Sequence, residues 1–308
     1  MRRTRLRASA RKLSCLVGLG GLLFGLSVVS PAIAASASAR LAPETCTGTP
    51  TAPGVLTGTY DGNVVVSGIC AVNAGQAVVE GNLTVRAGGA LNATFARNDK
   101  MKGGYSNLTV TGNLYVDAGA TLGMGCDPTN SPCSDDPTPK SPTLSSWDWV
   151  GGNLIATDPL GVILHNSFVA ENIVEQGGGG GYNCKEQGIF AALKSPVFSD
   201  YENTVVGGNM TIKDLTTCWL GSLRDDVHGN FSVIGNKMAD PDADEVNTNY
   251  VNGSLTCLAN SPAVQFGDSG GSANVVNGAA TGQCSFARLV PNPPPKGTPQ
   301  HISVPQVP

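Results

Sequence analysis

The segment GDSGG, residues 267–271, places Ser269 between an aspartate and two glycines. A serine hydroxyl becomes a nucleophile when a base lies within hydrogen-bond distance and an acid orients that base. The histidines that could act as this base are His165, in VILHNSF, and His228, in RDDVHGN. Asp, Ser and Gly are also common in tight turns between strands. The segment therefore indicates either a nucleophile or a turn.

GDSGG resembles the segment around the nucleophile of chymotrypsin-like serine proteases, and GDSGGS is the form in many secreted bacterial members. The resemblance implies a catalytic role for Ser269. The histidine of that family usually lies in a T-A-x-H-C context, which surrounds neither His165 nor His228. A turn serine is therefore the favoured interpretation, and a serine protease is the second alternative function.

A second set of reactive side chains occurs in LRDDVHGN, residues 223–230, where Arg224, Asp226 and His228 alternate. On a β-strand, alternate residues share one face at a spacing of about 7 Å. A carboxylate and an imidazole on one face can act as general acid and base. The plainer interpretation is a polar outer face with a local Arg–Asp pair, which contributes little stability.

An acidic run, ADPDADEVN, places Asp240, Asp242 and Asp244 at alternate positions. Hard cations such as Ca²⁺ bind clusters of carboxylate oxygens, so the spacing predicts a Ca²⁺ site as the candidate cofactor site. The run departs from the EF-hand pattern, because Glu245 stands where that loop has glycine. A solvated acidic loop is the alternative interpretation.

The first 34 residues have the pattern of a secretory signal peptide: a basic start, an apolar stretch and a small-residue cleavage site after Ala34. Six of the 19 Lys and Arg residues lie there, so the remaining chain keeps 13 against 23 Asp and Glu. A net charge of about −10 disfavours binding to nucleic acid or to an anionic membrane. The prediction is a secreted or cell-surface protein, with no membrane association after cleavage.

Eight cysteines remain outside the signal segment, and an even number in an exported chain favours disulfides. Proximity along the sequence suggests four pairs, among 105 possible connectivities. No C-x-x-C motif occurs and histidine is scarce, so a zinc site built on cysteine is less favoured. The suggested pairs are Cys46–Cys70, Cys126–Cys133, Cys184–Cys218 and Cys257–Cys284.

The elements that position these residues are indicated by an internal repeat, V-x-G-N-L-x-V. Its first, fifth and seventh columns are apolar and share parity, so they face one side of a strand. Glu175 is the one poor fit, because it stands in the apolar seventh column. The copies begin at Tyr60, Val79, Val110, Val150, Val169, Val206, Val227 and Val251.

Steps of about 20 residues between copies, with longer steps where loops are inserted, resemble the coils of a right-handed parallel β-helix of the pectate-lyase-like superfamily. The predicted fold class is therefore an all-β, right-handed β-solenoid. A β-sandwich is the alternative, because a Gly-Asn pair can also close a hairpin.

The long steps mark three insertions, at residues 92–107, 123–146 and 176–203, and long loops in a compact fold are often functional. The predicted organisation is a signal peptide at 1–34, an N-terminal cap or linker at 35–59 and the solenoid at 60–290. Residues 291–308 contain seven prolines and are predicted to form a disordered tail.

These patterns predict an exported β-solenoid that acts as a binding or structural protein and favour a non-enzyme. The expected partner is a glycan or another cell-envelope component; the oligomeric state stays open. The resemblance implies an alternative, a polysaccharide lyase or hydrolase that uses the outer face around Arg224, Asp226 and His228.

Overall fold

The computed structural model of the protein describes residues 42–97, 104–265 and 271–285. The chain winds through three parallel sheets, and each of the first eight coils contributes one strand to each sheet in the order sheet 1, sheet 2, sheet 3. Neighbouring strands within these sheets all pair in parallel. The protein is therefore a right-handed parallel β-helix, as predicted, and the β-sandwich alternative is wrong.

Strands are numbered along the chain. Sheet 1 has ten strands: β1 (Glu44–Cys46), β4 (Val64–Val66), β7 (Leu83–Val85), β10 (Leu114–Val116), β13 (Leu154–Thr157), β16 (Ile173–Gln176), β19 (Met210–Lys213), β23 (Phe231–Ile234), β27 (Leu255–Leu258) and β29 (Ala280–Gly282). Sheet 2 has eight: β2 (Gly54–Val55), β5 (Ile69–Ala71), β8 (Ala90–Ala93), β11 (Thr121–Met124), β14 (Gly161–His165), β17 (Phe198–Glu202), β21 (Trp219–Leu223) and β25 (Asp244–Asn247).

Sheet 3 has nine strands: β3 (Gly58–Tyr60), β6 (Ala77–Val79), β9 (Leu108–Val110), β12 (Asp148–Val150), β15 (Ser167–Val169), β18 (Val205–Val206), β22 (Asp226–Val227), β26 (Tyr250–Val251) and β28 (Val275–Val276). A short additional pair comprises β20 (Thr216–Thr217) and β24 (Lys237–Met238), and one helix, α1 (Ile189–Leu193), lies in the third insertion. The coils begin at Glu44, inside the segment predicted as a cap or linker.

The repeat phrase V-x-G-N-L-x-V crosses the corner between sheet 3 and sheet 1. Its first valine ends a sheet 3 strand, and its fifth and seventh residues point into the core from sheet 1, as at Leu83 and Val85. The residue between them is only half-buried, so the predicted alternation is confirmed. Each coil buries an apolar row only because the next coil covers it.

The asparagines of the phrase form a ladder along the whole corner. Each Oδ1 accepts a hydrogen bond from the backbone N–H one coil further on, which belongs to an asparagine in every case except the last, where Ser254 donates to Asn230; the distances are 2.8–3.1 Å. Glycine precedes the asparagine in most copies, and a Cβ on five of these glycines would lie 2.5–2.7 Å from the neighbouring coil's asparagine oxygen; at Asn172 the preceding residue is Glu171. The ladder residues are Asn63, Asn82, Asn113, Asn153, Asn172, Asn209 and Asn230.

All four predicted disulfides are present. Cys46–Cys70 and Cys257–Cys284 join coils near the two ends of the solenoid, where a coil has a neighbour on one side only. Cys126–Cys133 closes a loop in the second insertion, and Cys184–Cys218 fastens the third insertion to the solenoid. These eight cysteines are therefore not available as metal ligands.

Candidate functional site

The outer face of sheet 2 carries several ionisable side chains that are nevertheless buried. On β14 and β17, the residues Leu164 and Tyr201 point into the core. The alternating residues His165, Asp200 and Glu202 face outward, and His165 pairs with Glu202 in the strand register. The inserted loops cover this face, so His165 is only 4% exposed and Asp200 only 6%.

A groove of about 610 Å³ runs across the outer face of sheet 2. Its floor is formed by β5, β8, β11, β14 and β17, and its walls by the second insertion and by α1. His165 and Asp200 line it, so the groove and the ionisable cluster meet. The other lining side chains include Asn92, Thr94, Phe95, Asn130, Ser134 and Leu193.

The imidazole of His165 lies between two carboxylates. Its Nε2 is 3.3 Å from Oδ2 of Asp200, and its Nδ1 is 3.9 Å from Oε2 of Glu202. The contact with Asp200 has an ion-pair distance but lacks hydrogen-bond geometry. Two carboxylates therefore face the ring, one beside each nitrogen.

Arg224 and Asn203 connect this cluster to the second insertion. Arg224 Nη2 contacts Glu202 Oε2, and Arg224 Nε donates to Asn203 Oδ1 at 3.1 Å. Asn203 Nδ2 donates to Asp127 Oδ2 at 3.1 Å. The other oxygen of Asp127 accepts from the backbone N–H groups of Thr129 and Asn130. Asp127, next to the Cys126–Cys133 disulfide, thus joins a cluster formed by β14 and β17.

The corner between sheets 2 and 3 explains where Arg224 points. The residues directly after β14, β17, β21 and β25 all have a positive φ, and Arg224 has φ 61°. This left-handed residue turns the chain sharply, so Arg224 lies outside the strand and reaches across to the previous coil. The four residues are Asn166, Asn203, Arg224 and Thr248.

Burial and mutual charge shift the pKa values of the cluster. The pKa of Glu202 is raised to about 7, because burial and the charge of Asp200, which raise it, outweigh Arg224 and His165, which lower it. Burial lowers the pKa of His165, but the carboxylates of Asp200, Glu202 and Asp127 outweigh this effect and the net direction is upward. The cluster therefore has groups that can exchange a proton near neutral pH.

The expectation that Arg224, Asp226 and His228 share one strand face is wrong. β21 ends at Leu223, and Asp226 begins β22 of sheet 3 after the left-handed turn. Asp226 Oδ1 and His228 Nε2 are 3.7 Å apart, but Arg224 pairs with Glu202. The side chain of His228 is 45% exposed and neither Asp226 nor His228 lines the sheet 2 groove. Catalysis by these two residues stays a prediction.

Ser269 lies outside the described residues, as do the other residues from 266 to 270. The flanks of this segment are described. Gln265 forms a bridge with Glu245, and the backbone N–H of Thr248 donates to Ser272. The proposal of Ser269 as a nucleophile stays untested.

The three aspartates of the acidic run do not converge. Asp244 is buried on β25, and burial raises its pKa to about 8. Asp240 accepts a hydrogen bond from the backbone of Asp242, whose own Oδ1 accepts from Gln265. Across the described ranges, the one group of three ligand-type side chains close together is Asp127, His165 and Glu202. The Ca²⁺ site at Asp240, Asp242 and Asp244 stays a prediction that this geometry does not favour.

Sequence reasoning missed Asp127, Asp200 and Glu202 as site residues. Asp200 and Glu202 alternate in SDYEN, the same signal that singled out Asp226 and His228. What the sequence could not supply was the register that places this strand beside His165, because 32 residues separate β14 from β17.

No protein-family model, curated protein or solved structure matches this chain. In the described ranges, no helix is long and apolar enough to cross a membrane. The function therefore has to be argued from the groove and its cluster.

Proposed function

We propose that the protein is an extracellular glycan-binding solenoid, and that an extended sugar chain lies in the groove of sheet 2. The groove carries this proposal, because it offers an elongated surface with polar and aromatic side chains on one face. The β-helix fold and the four disulfides fit an extracellular protein.

The shape of the groove favours a polymer. Five neighbouring strands form its floor, and strands in a sheet are spaced 4.7–4.9 Å apart, so the floor is about 19 Å long. It runs perpendicular to the strands and crosses the same outward column, from Asn92 through Gly123 and Ile163 to Asp200. A linear chain can follow this column from coil to coil.

The chemistry of the lining favours sugars. Asn92, Thr94 and Ser134 offer amide and hydroxyl groups, which match the hydroxyls of a sugar. Phe95 and Phe198 offer ring surface for its apolar face. The net negative charge and the buried carboxylate Asp200 disfavour an anionic polymer, so neutral and amino sugars are the expected class.

Leu193 provides the sharpest test. It is 61% exposed and lines the groove from α1, so Leu193→Glu places a charge in the wall without disturbing the core. We expect this change to raise the dissociation constant for a soluble glycan by at least about tenfold, equivalent to a loss of about 1.4 kcal/mol in binding free energy. The measurement is titration calorimetry with the best binder from a panel of neutral, amino and acidic polysaccharides.

Leu258→Glu is the matched control, because Leu258 is 46% exposed, lies on sheet 1 and is absent from the groove lining. The control variant should bind like the wild type. If the wild type binds none of the panel, or if both variants lose affinity equally, the groove is not a glycan site. Release of shortened chains during the titration would instead identify an enzyme.

A further inference from the structure

Asp127, His165 and Glu202 form a compact group with mixed nitrogen and oxygen donors. One potential ligand atom from each residue lies within 4.8 Å of the other two. They come from three parts of the chain: the second insertion, the end of β14 and the end of β17. Folding therefore brings together donor side chains that are far apart along the chain.

His165 gives an independent indication that something belongs between these side chains. It is 4% exposed, and within the described ranges its Nδ1 has no hydrogen-bond partner, whereas Nε2 faces Asp200. A buried polar group without a partner is costly, so such a group in a native structure points to a bound water or ion. The nitrogen that faces Glu202 is Nδ1, at 3.9 Å.

Asp200 completes a recognised arrangement around a metal-binding histidine. Its Oδ2 lies 3.3 Å from Nε2, so it can hold the ring proton on that nitrogen and leave Nδ1 free of a proton. Histidines that bind metals usually donate their other N–H to a carboxylate or carbonyl in this way. Asp200 is thus a positioning residue, whereas Nδ1 is the donor atom.

We propose that Asp127, His165 and Glu202 bind a divalent transition-metal ion, with Zn²⁺ as the best match. One imidazole and two carboxylates suit zinc, whereas Ca²⁺ takes six to eight oxygens and Mg²⁺ retains several waters. Three protein ligands leave the fourth tetrahedral position to water or to a group in the adjoining groove. This inference does not depend on glycan binding.

The local charge agrees with a cation. The carboxylates of Asp127, Asp200 and Glu202 are close together, and in the described ranges Arg224 is the one Lys or Arg side chain that pairs with any of them. A buried excess of negative charge is unfavourable unless a cation or a proton neutralises it. Arg224 contacts the same oxygen of Glu202 that faces His165, so it competes with the metal for this carboxylate.

The experiment measures Zn²⁺ binding by equilibrium dialysis with elemental analysis and by calorimetry on the purified chain. The wild type should bind one equivalent of Zn²⁺ and bind Ca²⁺ and Mg²⁺ far more weakly. Glu202→Gln and Asp127→Asn, which preserve side-chain shape, should each weaken binding by more than about tenfold, and Asp200→Asn by about tenfold or more. His228→Ala is the control for surface binding and should retain the full equivalent.

Arg224→Gln provides a result that damaged folding cannot imitate. Removing the competing guanidinium should tighten Zn²⁺ binding several-fold, whereas a destabilised site would bind more weakly. Failure of the wild type to retain Zn²⁺ overturns the proposal. So does a full equivalent of Zn²⁺ that persists in both Glu202→Gln and Asp127→Asn. Glycan titrations of the same variants without metal keep the two proposals separate.

Discussion

The two corners of each coil that flank sheet 3 differ in how regularly they repeat. The corner from sheet 3 to sheet 1 repeats one phrase, and its asparagine ladder satisfies backbone N–H groups in the same way in successive coils. The corner from sheet 2 to sheet 3 turns through one left-handed residue and carries a shorter ladder of Asp225, Asn249 and Asn274, and two of the three insertions leave the solenoid there. Asp127 and Arg224, which contribute to the site cluster, also lie at this second corner.

The difference shows how a solenoid separates stability from function. The asparagine ladder restricts the sequence of its corner, because the asparagine recurs and a glycine precedes it in most copies, where a Cβ would meet the neighbouring coil. The second corner repeats less regularly, and it accommodates insertions beside His165, Glu202 and Arg224. Loops and ionisable residues can accumulate at the second corner without interrupting the ladder.

The largest expected effect comes from adding one methyl group at two sites of the same coil, one at the ladder corner and one in sheet 2. A Cβ on Gly112 would lie 2.5 Å from Asn82 Oδ1 and 2.7 Å from Gly81 O, so Gly112→Ala forces the backbone of two coils apart. A Cβ on Gly123, in sheet 2, meets Thr94 Cγ2 at 3.3 Å and nothing closer. We expect Gly112→Ala to lower the free energy of unfolding by about 3 kcal/mol or more.

Gly123→Ala should lower the free energy of unfolding by less than about 1 kcal/mol, because a side-chain methyl can move. Urea unfolding of both variants at one pH measures the difference. Equal losses for the two substitutions would contradict the view that the ladder corner is the rigid one.

The next effect concerns Glu175, which points from sheet 1 into the core towards sheet 2. Its carboxylate accepts from Ser199 Oγ at 2.7 Å and from the hydroxyl of Tyr201 at 2.8 Å, both on β17. Burial raises its pKa from 4.5 to about 7, although the two hydroxyls lower it. The folded chain therefore holds this proton more tightly than the unfolded chain does.

Stability must then fall as pH rises through this interval. Below about pH 4.5 Glu175 is protonated in both states. Between about pH 4.5 and 7 the unfolded state loses this proton first, so the free energy of unfolding falls, and above about pH 7 this decrease is complete. The penalty from Glu175 is at most about 3 kcal/mol at pH 8. Glu175→Gln should be more stable than wild type by this amount at pH 8 and nearly equal at pH 4.

The difference in stability between wild type and Glu175→Gln isolates the effect of Glu175. Burial also raises the pKa of Asp148 to about 7 and that of Asp244 to about 8, but these two groups titrate in both proteins. Denaturant titrations from pH 4 to pH 8 provide the measurement. Parallel stability curves for wild type and Glu175→Gln would mean that the carboxylate is hydrated in solution.

The sequence predicted the rigid part of the molecule and missed the variable part for the same physical reason. Apolar columns and Gly-Asn pairs are local consequences of coil geometry, so they recur in sequence and reveal the fold. Glu175 was visible as a misfit, but its donors Ser199 and Tyr201 lie on β17, which follows a 21-residue connection from β16. Their arrival beside it depends on the path of that connection.

The candidate site shows the same limit more strongly. Arg224 was singled out by its alternation with Asp226 and His228, but the left-handed turn directs it to Glu202 and away from Asp226. Asp127 reaches the cluster through a loop closed by a disulfide, and no periodic pattern encodes that position. Contacts between coils across insertions need the register, which the repeat sets only where no insertion intervenes.

The smallest effect tests single amide side chains at the two corners. Asn113 Oδ1 accepts from the backbone N–H and the side-chain Nδ2 of Asn153, so Asn113→Ala leaves that backbone donor without its acceptor. We expect a loss of about 1 kcal/mol in the free energy of unfolding. At the second corner, Asn203→Gly keeps the positive φ of 53° and should lower the free energy of unfolding by less than about 0.5 kcal/mol. The reason is that the Asn203 side chain bonds only other side chains among the described contacts.

Amide hydrogen exchange at Asn153 distinguishes a local from a global cause. The exchange rate should rise in Asn113→Ala by more than the loss of global stability explains, and it should stay unchanged in Asn203→Gly. Acceleration in both variants would mean that the two corners open together and that the ladder is not an independent source of rigidity.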